Sequence, residues 1–260
     1  MSAEPGAVRR VARFAARLVG PFLDARSAAR VALEVPWYAR TLRDYARRSH
    51  EEIPALDLHP AWLDRAQAAG TASGHYFHQD LWAARQVFRS GVDDHVDVGS
   101  RVDGFVAHCA SFAPVTYVDI RPFGTPVEGI QCVSGSVLAL PFADRTLRSL
   151  SCLHVIEHVG LGRYGDPLEP EGSRLAMKEL ARVVAPGGSL YLGVPIGRER
   201  VCFNAHRVLA PATVLRELSQ LELVAFAAVN DRGHLVDPAR PDDFVTADYA
   251  CGLFHFRRPR

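Results

Sequence analysis

Several signals are missing from this 260-residue chain, and each absence narrows its class. No apolar run approaches the roughly 18 residues that a membrane-spanning helix needs. The N-terminus interleaves arginines with its apolar residues, so a secretory signal is not expected. The five cysteines, at 109, 132, 152, 202 and 251, show no C-x-x-C spacing and are odd in number. They read as reduced, buried thiols of a cytoplasmic protein rather than as a disulfide framework. The formal charge is only +1, which argues against a whole-protein electrostatic footprint for nucleic acid, and no nucleic-acid partner is expected. Internal repeats and low-complexity stretches are absent. No G-x-G-x-x-G follows the first predicted strand of the α/β region, which weighs against a dinucleotide site.

What is present concentrates in His95-Val96-Asp97-Val98-Gly99-Ser100-Arg101-Val102-Asp103-Gly104-Phe105. It reads as a short buried strand, a tight glycine turn and the start of a helix. A second strand, Val115-Thr116-Tyr117-Val118-Asp119, ends in an acid. A glycine lets backbone approach a ligand closely, and an acid at the end of the next strand can accept hydrogen bonds from both hydroxyls of a ribose. Asp97 would repel a pyrophosphate but suits a cationic amine. The pairing therefore points to S-adenosylmethionine rather than NAD.

Around this segment the chain divides in two. Residues 7–19 have helical spacing, with Val8, Val11, Ala12, Ala15, Leu18 and Val19 on one face and Arg9, Arg10, Arg13 and Arg17 mostly opposite. Gly20-Pro21 interrupts this helix, and a second helical stretch runs to about Ser49 with a break near Pro36. Ten arginines against four acids in the first fifty residues leave the extension basic. It packs on the core or on a twin subunit, or it lies on an anionic membrane surface; both readings stay open. Residues 50–74 read as a linker around a short helix, so 1–74 is taken as an N-terminal helical extension and linker, and 75–260 as the main domain. There, strands at 94–98, 115–119, 130–134, 148–153 and 189–194 alternate with helices at 103–112, 173–185 and 211–219, which predicts a largely parallel sheet. Pro186-Gly187-Gly188 is expected to end the second helix. Strands at 221–229 and 249–257 are expected to form an antiparallel edge hairpin.

Four blocks carry a resemblance: Asp97-Val98-Gly99; Val118-Asp119; Leu140-Pro141-Phe142 leading into Leu153-His154-Val155-Ile156-Glu157-His158-Val159; and Glu179 through Gly188. In this order they resemble the class I S-adenosylmethionine-dependent methyltransferases, the type-11 group above all, over about 75–257. Three further stretches, 99–105, Gly160-Leu161-Gly162-Arg163-Tyr164-Gly165-Asp166-Pro167 and Phe203-Asn204-Ala205-His206-Arg207, are similar to a methyltransferase-like domain of unknown function, number 268. The resemblance implies an α/β, Rossmann-like sheet of seven strands and S-adenosylmethionine as cofactor. It implies that Asp97, Val98, Gly99, Ser100 and Arg101 line the methionine end, that Asp119 holds the ribose with Ile120 against the adenine, and that Ser136-Val137 meet the adenine amine. The chain departs from the family's G-x-G-x-G turn, since Arg101 and Asp103 replace the second and third glycines. Arg101 is long enough to close over the carboxylate of the cofactor.

Methyl transfer from a sulfonium asks the protein for orientation and, with a hydroxyl acceptor, for a base. His154, Glu157 and His158 follow the fourth strand and His206 follows the fifth, at the ligand-binding edge of an open α/β sheet. If 154–159 is a helical turn, the first three share a face. One reading makes His154 or His206 the base, with Glu157-His158 shaping the acceptor pocket. In the other, the four ligate a divalent ion, as a similar Glu-x-x-Glu-His plus a later His does in related O-methyltransferases. No resident metal is expected. The segment 160–172 reads as an acceptor loop or lid or as a plain connection, and 74–82 as a cover for the cofactor. The expected activity is methylation of a hydroxyl on a small molecule or saccharide. The alternative is a cofactor-binding pseudoenzyme that serves as a partner-binding subunit.

Overall fold

The computed structural model describes residues 25–48, 58, 60–62, 65 and 70–260. The predicted helix at 7–19 lies outside them. The chain separates into two compact units, Met1–Thr71 and Ala72–Arg260.

In the first unit, helix α1 spans Ala25–Arg48 and runs unbroken through Pro36, where a break was expected. A proline inside a helix forfeits one i→i−4 hydrogen bond, and the turns on either side of Pro36 sustain the helix. Val31, Glu34, Trp37, Tyr38, Thr41 and Leu42 form its less exposed stripe at helical spacing. Trp62 packs on Tyr38 with ring centroids 5.4 Å apart. Arg65 bonds Glu34 at 3.0 Å and lies 4.7 Å over the Trp37 ring. No helix among the described residues is long and apolar enough to cross a membrane.

The second unit is an eight-stranded sheet of order β3-β2-β1-β4-β5-β10-β8-β9. Its strands are β1 His95–Val98, β2 Val115–Asp119, β3 Ile130–Ser134, β4 Leu147–Leu153, β5 Val184–Ile196, β8 Glu222–Val229, β9 Leu235–Val236 and β10 Ala250–Arg257. The first five are parallel to one another, whereas β10 is antiparallel to both β5 and β8. A separate ribbon pairs β6 Arg200–Cys202 with β7 His206–Val208.

Burial of both sheet faces explains the near-continuous apolar run at the end of β5, whereas β1 and β4 bury His95, Asp97, Ser149 and Ser151 among their apolar residues. Helix α2, His75–Ser90, covers one face with Trp82, Ala83 and Val87, joined by Phe105 and Cys109. Phe105 belongs to a π-turn at Val102–Val106 that leads into the short helix α3, Ala107–Ala110. Helices α4, Gly172–Val183, and α5, Pro211–Glu217, cover the other face. Met177 and Leu180 are fully buried there, each worth about 1.5–3 kcal/mol of transfer free energy.

Two expectations change and one holds. Pro186-Gly187-Gly188 does not stop a helix: α4 ends at Val183, and the triplet lies inside β5, where pairing with β4 shifts register between Leu147 and Ser149. The last two long strands do pair antiparallel in the edge half of the sheet, as expected, with β10 the inner of the two, between β5 and β8. The sheet gains an eighth strand, β9, only two residues long, which pairs with Ala228 and Val229. A two-residue strand has no alternation to read.

Candidate functional site

A cleft of about 660 Å³ opens beyond the carboxyl ends of β1, β2 and β4, the place where open parallel sheets bind ligands. Its floor is the turn after β1. Gly99 sits at φ +71°, a left-handed conformation that costs an L-residue with a side chain energy. Its N–H donates to Val118 O at 2.9 Å, tying the turn to β2. A Cβ here would lie 3.1 and 3.2 Å from the Val155 methyls and 3.5 Å from Asp119 Oδ2. The bare backbone thus faces the carboxylate that ends β2. Asp119 Oδ1 accepts from the Arg121 N–H at 2.6 Å and Oδ2 from the Tyr117 hydroxyl at 3.3 Å. Ile120, 44% exposed, stands beside it, and Ser136 and Val137 line the far wall. Ser136 Oγ accepts from the Leu138 N–H at 3.2 Å.

Of the nine residues expected around the cofactor, Val98, Gly99, Arg101, Asp119, Ile120, Ser136 and Val137 border this cleft, while Asp97 and Ser100 do not. Asp97 is sealed behind the turn with no exposed surface. Its Oδ1 accepts from the Ser100 N–H at 3.0 Å, and its Oδ2 accepts from the hydroxyls of Ser100 and Ser151 at 2.6 and 2.5 Å. Ser100 Oγ accepts in turn from Leu153 N–H at 3.0 Å. His95, between Ser149 Oγ at 2.7 Å and Ser151 Oγ at 2.8 Å, completes the chain. Burial raises Asp97 to about 6, against the opposing pull of the Ser100 and Ser151 bonds, and drops His95 to about 3. Asp97 therefore shapes the turn from behind instead of meeting a cationic amine. Arg101 is also differently engaged: it chelates Asp103 at 3.0 and 2.9 Å and lies 4.8 Å over the Tyr76 ring on the rim.

The four residues expected to do chemistry are only partly brought together. His154 leaves β4 at φ +56°, and only Ile156–His158 form a 3-10 turn, so the shared helical face of 154, 157 and 158 is not built. Glu157, 1% exposed, joins the pair instead. Its Oε1 accepts from His154 Nδ1 at 2.7 Å and lies 3.7 Å from His158 Nε2. His158 donates from Nδ1 to Ala205 O at 2.6 Å, which leaves Nε2 as the nitrogen able to take a proton. His154 and His158 line the cleft; Glu157 is behind them, and His206 rests on the Tyr249 ring with centroids 4.9 Å apart. Burial, helped by His158, lowers His206 below its ordinary range. For His154 burial works downward too, but Cys251 and Glu157 together outweigh it and raise the imidazole well above 6.5.

The segment 160–172 is pinned along its length. Asp166 accepts from Gly160 N–H at 2.6 Å and Tyr164 N–H at 3.2 Å. The buried guanidinium of Arg207 donates to Val159 O at 2.6 Å, Pro170 O at 3.1 Å and Glu169 O at 3.2 Å. Gly160 can carry no side chain, because Glu169 O would meet its Cβ. Tyr164 comes to the cleft wall edge-on to His158, with Arg121 stacked 4.4 Å over its ring. Sequence reasoning missed Arg121 and Cys251. The position of Arg121 just after Asp119 was the available signal; for Cys251 there was none.

The family model described as a Caenorhabditis protein of unknown function, DUF268, matches residues 144–232. That span takes in the loop 160–167 and the 203–207 stretch but not the turn after β1. No curated protein matches the chain in sequence. Among solved structures, the N-methyltransferase NodS of Bradyrhizobium japonicum, in complex with S-adenosyl-L-homocysteine, superposes with a TM-score of 0.50 at 18% identity. That match covers 72% of this chain and 89% of NodS. A complex of a methyltransferase activator and a putative methyltransferase from Haloferax volcanii gives 0.50 at 15% identity over 72% and 90% of the two chains. The 4+2 cyclase SpnF gives 0.50 at 14% over 70% and 81%. The chain shares the fold of these three structures.

Proposed function

We propose that the chain binds S-adenosylmethionine and methylates a hydroxyl of a small molecule or saccharide. The observation that carries this reading is the cradle between Gly99 and Asp119, in which a Cβ would fill the space next to the carboxylate. An uncovered backbone facing an acid suits a ribose, with Ile120 and Val137 as apolar walls for a purine. When bound, S-adenosylmethionine supplies a methyl carbon activated by a sulfonium. The chain's own part is to hold the acceptor and to remove its proton. That proton goes to His158 Nε2 in this reading, which the hydrogen bond from His158 Nδ1 to Ala205 O supports. Glu157 orients His154 and stands 3.7 Å from His158.

A second reading, a cofactor-binding subunit without methyl transfer, draws support from the likeness to SpnF, a protein of this fold named as a cyclase. Five free cysteines suit the cytoplasm. Residues 1–20 serve association with a partner or a membrane surface, and the chain pairs with a second copy.

Calorimetry with S-adenosylhomocysteine tests the binding. Asp119→Ala should weaken it by about 1.5–3 kcal/mol, the worth of hydrogen bonds to a charged group; a folded wild-type chain that binds nothing refutes the assignment. Turnover on a panel of hydroxyl acceptors separates the two readings. His158→Gln should abolish turnover while leaving cofactor affinity intact.

A further inference from the structure

Behind the His154 side of the cleft, three chain segments bring together donors that the proposed methyl transfer does not use. His75 opens α2, His154 follows β4, and Cys251 is the second residue of β10. One donor atom from each lies within 4.8 Å of the other two, the only such group of three or more His, Cys, Asp or Glu donors among the described residues.

The surroundings decide which atoms are offered. His75 Nε2 donates to Tyr249 O at 3.1 Å, which leaves Nδ1 unprotonated. His154 Nδ1 donates to Glu157 Oε1 at 2.7 Å, and its Nε2 is buried with no hydrogen-bond partner. Cys251 is fully buried, with Gln79 Oε1 3.6 Å from its sulfur. Each imidazole is thus held by an oxygen at one nitrogen, with the other nitrogen left to a ligand. That is the arrangement of a metal-ligating histidine, whose second nitrogen is fixed by a carboxylate or carbonyl. A buried imidazole nitrogen without a partner is costly in a closed core, and a bound cation removes the cost.

We propose that His75, His154 and Cys251 bind one divalent ion of the zinc type. Two imidazoles and a thiolate are a borderline-soft set that favours zinc over magnesium or calcium, and three protein ligands leave a fourth position for water or substrate. Donors around a tetrahedral ion with bonds of about 2.0–2.3 Å stand roughly 3.3–3.8 Å apart, so closing from within 4.8 Å asks for a shift of at most about 1.5 Å. His75, partly exposed at a helix end, has room to move. Binding releases the Cys251 thiol proton and the His154 Nε2 proton to solvent. The site differs from the set His154, Glu157, His158 and His206: it takes only His154 from that group, with Glu157 holding the ring from outside.

The test uses the untagged full chain, stripped with a chelator and titrated with cobalt(II) alone. The expected result is one ion per chain, a near-ultraviolet thiolate-to-cobalt band, tetrahedral visible bands, and displacement by zinc. Cys251→Ser should remove the near-ultraviolet band. His75→Ala, at a partly exposed helix end, should weaken binding at least tenfold even if Cys251→Ser fails to fold, and Glu157→Gln should weaken it by about 10–100-fold. Binding without a thiolate band, a band that survives in Cys251→Ser, affinity unchanged in His75→Ala, or no binding to the folded wild type overturns the proposal. None of these readouts depends on methyl transfer, so this site and the proposed activity fail separately.

Discussion

Asp97→Asn tests whether the acid behind the glycine turn is a buried structural charge. In the wild type, burial lifts its folded value from the ordinary 3.8 to about 6. An acid raised on folding contributes stability that is fully present below about 4 and lost as pH rises through about 6, since the folded state there holds a proton that the unfolded state has released. At about 1.4 kcal/mol per tenfold, that gap corresponds to about 3 kcal/mol. Asparagine cannot titrate, so the stability difference between variant and wild type should shift toward the variant by about that amount between pH 4 and pH 7. A constant cost is superimposed. Oδ2 now accepts two hydroxyl hydrogens, from Ser100 and Ser151, and an amide NH2 in its place accepts none. Each hydroxyl hydrogen left without an acceptor costs about 1–3 kcal/mol. His95, also shifted by burial, is common to both proteins and cancels. Urea unfolding followed by tryptophan fluorescence across this range gives the difference directly. A difference that stays flat with pH would refute the account of Asp97 as a desolvated carboxylate.

Gly99→Ala should lose about 1–3 kcal/mol of stability, from the left-handed backbone and the Val155 contacts at 3.1 and 3.2 Å. It should also lose S-adenosylhomocysteine affinity tenfold or more, by thermal melts and calorimetry; unchanged affinity would mean that ligand does not approach this backbone. Arg207→Lys keeps the charge but not the planar fork that spans Val159, Glu169 and Pro170. A loss of about 3 kcal/mol and faster proteolysis within 160–172 are expected, and an unchanged cleavage pattern would show that the loop is held by its own turns. Deletion of residues 1–20 should leave folding and S-adenosylhomocysteine affinity intact and abolish association with vesicles or with a second copy; an unfolded truncation would place that segment in the core.

The parallel half of the sheet was legible because its signals are local. β2 and β3 fall on the predicted residues, and β1 differs by one, since a short buried run followed by glycine has few other readings. The Gly99–Asp119 pairing was legible for the same reason, as two strand ends joined by one crossover. Three features were not. Asp97 looked like a ligand because its β4 partner, Ser151, lies more than fifty residues away in the sequence. The convergence of His154, Glu157, His158 and His206 assumed a helical turn, and the left-handed residue at His154 sends that ring toward α2 instead, where Tyr76 and His75 pack on it. The approach of Cys251 to His75 and His154 spans more than 170 positions and arises only when β10 takes its interior place in the sheet.

That interior place sets an order of assembly. The slot beside β5 is filled by a segment made more than fifty residues later, after β8 and β9 have already been synthesised. Until then β5 and β8 each present an unpaired edge rich in apolar residues, a template for pairing with other chains. A ribosome that pauses after about residue 245 would hold a half-sheet with two open margins, and its need for chaperone cover would end only when Ala250–Arg257 emerges. Such late, long-range closure is slow in folding and favours aggregation. Sequence changes in the final strand should therefore be felt first in yield during expression, before any effect on the finished protein is measured.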